Sequence, residues 1–150
     1  MDSYQIATAI ATRFAAAAVT PPTGQEDVKV STADLPESIA VFPTILVLPP
    51  VMADATYNAS RSRSFDLTYP VVLLLSASDG TPRRAKAVHD WATAIYGQIG
   101  GQLQLGLSSY VAVAYVTGFQ AGSVTYAGAQ FDGIRFEVLV RINEAYTPAA

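Results

Sequence analysis

Apolar positions recur along this chain with two periods, and each period predicts an element. In residues 2–19, Ile6, Ile10 and Phe14 step by four and form one narrow apolar stripe, the mark of an amphipathic helix. Asp2 suits its N-cap, with Gln5 three residues on in capping-box position. Pro21, Pro22 and Gly24 end it. In residues 81–99, Ala85, Val88, Ala92, Ile95 and Ile99 step by three and four, and Trp91 widens the stripe. Thr81 and Pro82 suit the N-cap and first position of that helix, and Gly100 and Gly101 stop it.

The other stretches alternate with period two or are apolar throughout. Residues 39–48 predict a strand that is either at an edge or bulged at Pro43, which has no N–H to give a ladder. In residues 64–76, Phe65, Leu67 and Tyr69 alternate with Asp66 and Thr68, a half-exposed pattern. The continuous run Val71–Leu75 then predicts a central segment covered on both faces. Residues 109–119 and 131–143 complete the strands. In the last, Ile134, Phe136, Val138, Val140 and Ile142 share one face, and Arg135, Glu137, Arg141 and Asn143 the other. Between these two strands, Gly118, Gly122 and Gly128 permit a long, bent hairpin arm over 118–131.

The expected fold is therefore one α+β domain over 1–150, as length alone suggests. It has an antiparallel sheet of about four main strands in α-β-β-α-β-β order, with both helices on one face. Residues 20–38 and 49–63 are expected to be long loops, a length that in a compact domain usually serves function or is disordered.

Charge changes this picture. Only 14% of the residues are Asp, Glu, Lys or Arg, against about 25% in ordinary globular domains. With so few charges, much of the surface is neutral or apolar, either through drift toward alanine or because copies or partners cover it. The net charge of −3 argues against a general nucleic-acid binder, which would be basic. The chain has no cysteine, so disulfides and cysteine metal sites are excluded. The longest apolar run falls far short of the roughly 18 residues of a membrane span, and the alanine-rich start lacks the basic region of a signal peptide.

Catalytic chemistry finds no foothold. His89, the one histidine, lies near the edge of the second helix's stripe, and its neighbour Asp90 points about 100° away on a helix. No helix carries His, Asp or Glu pairs at ligand spacing, and no glycine-rich loop opens a helix. No cofactor, metal or enzymatic activity is expected.

The candidate functional residues are contact residues. Arg83, Arg84 and Lys86 crowd the start of the second helix, where the helix dipole disfavours cations, and could dock an acidic surface. The acidic loop offers one in Glu26, Asp27, Asp34 and Glu37. Arg61 and Arg63 sit in a proline-bounded loop and could meet DNA or a partner. Phe119, Tyr126 and Phe131 on the arm could line the core or reach onto a neighbour.

This layout resembles the tail terminator proteins of long-tailed phages. The N-terminal helix, the strand from Ile39, the polar loop before Phe65–Ser76 and the helix over 81–99 carry the likeness. The Tyr110–Phe119 strand, the Tyr126-Ala127-Gly128 turn and the Ile134–Ile142 strand complete it. The resemblance implies a non-enzymatic homo-oligomer ring, sixfold in that family, in the tail or neck of a virion assembled in the host cytoplasm. Such a ring caps the tail tube, binds the tube protein and a head-completion or connector protein, and lets DNA pass through its lumen. Six chains of −3 would carry −18 formal charges, and an acidic lumen would let DNA slide. The alternatives are another neck or tail-tube subunit, or a small ligand-binding or hydrolase domain. The long 20–38 loop departs from the family layout.

Overall fold

The computed structural model describes residues 1–15, 20–59, 61–78 and 85–145. Helix α1 spans Ser3–Arg13. Asp2 caps it, its carboxylate accepting from the Tyr4 and Gln5 amides at 3.0 and 3.1 Å. The Gln5 side chain does not close a capping box, because its Oε1 accepts from the Tyr110 hydroxyl at 3.0 Å. Helix α2 is Ala85–Tyr96. The expected cap at Thr81 and Pro82, with Arg83 and Arg84, lies outside the described residues.

The protein is a mixed α+β fold with two helices and a seven-stranded sheet. The strands are β1 (Val30–Thr32), β2 (Thr44–Val47), β3 (Val51–Met52), β4 (Thr56–Tyr57), β5 (Ser62–Ala77), β6 (Val111–Tyr126) and β7 (Ala129–Ala145). Their order is β1-β2-β5-β7-β6, with β3 and β4 also on β5. The expected antiparallel sheet of about four main strands is met in part, since β2, β5, β7 and β6 pair antiparallel. Three short strands lie inside the two stretches expected as loops, and β1 runs parallel to β2. Pro43 stands just before β2, after a cis Phe42–Pro43 bond, and its carbonyl accepts from the Lys29 amide at 2.9 Å. Since β1 flanks β2 on its outer side, β2 is not an edge strand.

Burial sorts the strands by face. Odd-numbered residues of β5 from Phe65 to Leu75 pack with Ile6, Ile10 and Phe14 of α1 and Val88, Trp91 and Ile95 of α2. The five alternating apolar residues of β7, Ile134 to Ile142, join the same cluster, each with no exposed surface. The Phe14 ring meets Phe136 edge-on with centroids 5.1 Å apart. Val72 and Leu74 point the other way, into a second cluster with Leu46, Val124 and Phe131, flanked by Ile39, Phe42 and Tyr126. That second cluster is why Val71–Leu75 is apolar throughout.

A bulge lets β6 serve both clusters. Val116 pairs with Val138, but Gly118 pairs with Glu137, so Thr117 is an extra residue. One inserted residue reverses the side-chain parity of a strand. Ala114 and Val116 accordingly face the helices, while Val124 faces the opposite cluster. The arm closes at a two-residue turn, with Ala127 and Gly128 at φ of +51° and +80°. Two consecutive positive φ values give the primed turn that matches strand twist.

Candidate interaction surface

The expected contact residues fall into three groups. Two of the four acidic loop residues are engaged within the chain. Glu26 pairs with Lys29 at 2.8 Å. Asp34 accepts from the Tyr4 hydroxyl at 2.7 Å, and that bond and charge raise the Tyr4 pKa. Asp27 and Glu37 are exposed. On α2, Lys86 reaches Asp90 one turn on at 2.8 Å. Asp90 thus serves Lys86, and His89 beside it is exposed.

Arg61 and Arg63 do not share a loop. Arg61 is exposed in the tight turn before β5, at φ +58°. Arg63 lies within β5, directly across from Glu144 of β7. Its Nε and Nη2 donate to one Glu144 oxygen at 3.0 and 2.7 Å, and the Met1 ammonium approaches the other at 3.2 Å. Burial pushes the Glu144 carboxyl up, but these two cationic partners outweigh it and hold it below its ordinary value. The Arg63 guanidinium also lies over the Phe65 ring, 5.9 Å from its centroid. Its charge is engaged inside the subunit.

The arm aromatics separate in the same way. Phe131 is buried, its ring 6.0 Å from that of Phe42. The Tyr126 hydroxyl donates to the Pro36 carbonyl. These two hold residues 36–42 against the sheet. Phe119 alone stays at the surface, 38% exposed.

What the structure adds is an edge. β6 is the outermost strand on its side of the sheet, 16 residues long. Residues 99–103 cover it only at 114–116, through bridges from Ile99 to Val116 and Gln102 to Tyr115. From Thr117 to Tyr126 no described strand lies on its outer side. The chain also has no Asp, Glu, Lys, Arg or His between Asp90 and Asp132, which includes all of β6. Sheet edges are ordinarily guarded by charge, proline or a covering element. This one has the bulge at Thr117 but no charge and no proline, and the charge gap is the sequence signal that marks it.

Elsewhere, three tyrosines anchor the first turn of α1, where sequence reading saw only a capped helix. Besides Tyr4 and Tyr110, the buried Tyr69 hydroxyl donates to the Ser3 carbonyl at 2.9 Å, and burial raises its pKa. Their sequence separations of 30, 105 and 66 residues leave no local pattern to read. Two buried polar atoms, Trp91 Nε1 and Asp132 Oδ1, have no hydrogen-bond partner. Among the described residues, the other Asp132 oxygen has a long contact of 3.3 Å to Ser76. Among the described residues no group of three or more His, Cys, Asp or Glu could hold a metal, and no helix is long and apolar enough to cross a membrane. No protein family and no curated protein matches this chain.

Proposed function

We propose that this chain is a structural virion subunit, a tail terminator. Copies of it close a ring on the end of the tail tube of a long-tailed phage, join the tube to the head-completion or connector protein, and leave a lumen for DNA. The observation that carries the reading is the uncharged stretch of β6 from the Thr117 bulge to Tyr126, which no described strand covers. An edge of that length and composition pairs promiscuously when left free, so it belongs to a protein whose working state covers it. The sequence layout described above supplies the particular assembly, and the net charge of −3 per chain suits a ring through which DNA slides.

The test is mass in solution over a range of protein concentrations, followed by negative-stain imaging. The expected result is a closed ring near six times the 15.8 kDa chain mass, with a central hole. A protein that stays monomeric at every concentration would overturn the reading.

A further inference from the structure

Building on that ring reading, we infer that the free stretch of β6 adds as a strand to the β3–β4 edge of a second copy, so that the sheet continues from subunit to subunit. The sheet offers an incoming strand two places opposite β6, and they differ in chemistry. β1 is three residues long and is flanked by Asp27, Lys29 and Asp34. Charges so placed are how natural edges repel added strands. The β3–β4 edge is built of strands of two residues each after Pro49 and Pro50, but it carries less charge and more exposed apolar surface. Val51, Met52 and Tyr57 are 67, 58 and 59% exposed there, and Asp54 is the only charged residue between Pro50 and Arg61.

The lengths are compatible. At about 3.3 Å per residue, the ten or so residues from Thr117 to Tyr126 reach roughly 33 Å, more than the roughly 23 Å of residues 51–57. Within one chain the two edges cannot meet, because β7 and β5 lie between them. The contact therefore joins two different surfaces of two copies. Such head-to-tail pairing repeats from copy to copy and closes a ring where the rotation permits, whereas arm-to-arm pairing would stop at two.

The chain has no cysteine, so introduced thiols report cleanly. Adjacent strands lie about 4.8 Å apart, which brings facing residues within disulfide reach. Ala53, Thr56, Ala121 and Ser123 are all exposed. In the full chain, Ala121→Cys or Ser123→Cys is combined in turn with Ala53→Cys or Thr56→Cys, oxidised mildly, and run on a non-reducing gel beside a measurement of native mass. At least one double variant should give a ladder at multiples of the chain mass. The assembled interface holds its thiols at high effective concentration, so linkage should exceed that of the single variants by roughly tenfold or more. A native mass of ring size with no ladder in any pair overturns the edge assignment and leaves the ring. A dimer from Ala121→Cys alone, linked as fully as the double variants, means that arms pair with arms and overturns both. A monomeric mass throughout overturns the ring itself.

Discussion

Replacing Gly133 by alanine should cost this fold more than its one added methyl group suggests. Gly133 pairs with Leu74 of β5 on one side and Gly122 of β6 on the other. A Cβ built there would stand 2.0 Å from the Leu73 carbonyl oxygen, 3.1 Å from its carbon and 3.3 Å from the Leu74 Cα. All three are backbone atoms, so no side-chain rotation relieves the clash. Restoring ordinary contact requires β5 and β7 to part by about 1.4 Å, against a ladder spacing of about 4.8 Å. That opens two or three ladder hydrogen bonds at about 1 kcal/mol each. It also loosens the packing of Leu73 and Ile134, both fully buried, for about another 1 kcal/mol. The sum, about 3–4 kcal/mol, is a large part of the 5–15 kcal/mol typical of a domain. At roughly 2–4 °C per kcal/mol for a chain of this size, Tm should fall by about 10 °C. Urea unfolding and thermal scans measure both, with Gly118→Ala as the control. A Cβ at Gly118 meets nothing within 4 Å, so that variant should lose no stability. A Gly133→Ala protein within about 1 kcal/mol of the parent would refute the close-approach argument.

Two further outcomes follow from the turn and from the Glu144 network. Ala127 holds φ +51° in the arm's turn, a conformation that costs a residue with a Cβ roughly 1–2 kcal/mol and that asparagine tolerates better. Ala127→Asn should therefore stabilise the chain by about 0.5–1 kcal/mol in urea unfolding, and a loss would contradict the turn assignment. The Glu144 carboxyl lies below its ordinary value of 4.5 in the folded chain. Between the two values the unfolded chain binds more protons, so this contribution is complete above about pH 5 and is lost as pH falls through the folded value. Glu144→Gln should flatten the stability–pH curve below about pH 5, and curves of identical shape for variant and parent would refute the linkage.

The parts of the fold legible in the sequence are those whose own residues carry the pattern. The stripe of α1, the Val88–Ile95 part of the α2 stripe and the alternation of β7 read correctly because each element buries one face against a single layer. Ala85, by contrast, is exposed, and α2 ends at Tyr96, before Ile99 and the expected stop at Gly100. The run Val71–Leu75 read correctly as doubly covered, although what covers its second face, residues 36–42 and the arm, was not legible. β1, β3 and β4 escaped because two or three residues hold no period, and they become strands only through their partners β2 and β5. The extra residue at Thr117 reverses which face β6 presents, and a one-residue bulge has no sequence signature of its own. The site residues divide by the same logic. Arg63, Tyr126 and Phe131 have chemistry suited to contacts, but their partners Glu144, Pro36 and Phe42 lie far away in sequence and claim them internally.

That internal accounting changes what kind of contact can hold copies together. Sorted charge, with acid at 26–37 and base at the start of α2, suggested electrostatic head-to-tail docking. In the structure Glu26 is met by Lys29, Asp34 by Tyr4, Lys86 by Asp90 and Arg63 by Glu144. Even the open face of the sheet carries a matched pair, Arg141 with Asp66 at 3.0 Å. Exposed pairs of this sort add little to stability, about 0–1 kcal/mol each. They do, however, engage Glu26, Asp34, Lys86 and Arg63, since docking through these means breaking a contact already made, while Asp27, Glu37 and Arg61 stay exposed. The outer side of β6 beyond Thr117 pairs with no described strand, and the absence of charge between Asp90 and Asp132 removes the repulsion that keeps edges apart. The uncharged part of the chain thus includes a strand whose outer side pairs with no described strand beyond Thr117, which makes the arm, rather than the charged loops, the surface on which assembly should turn.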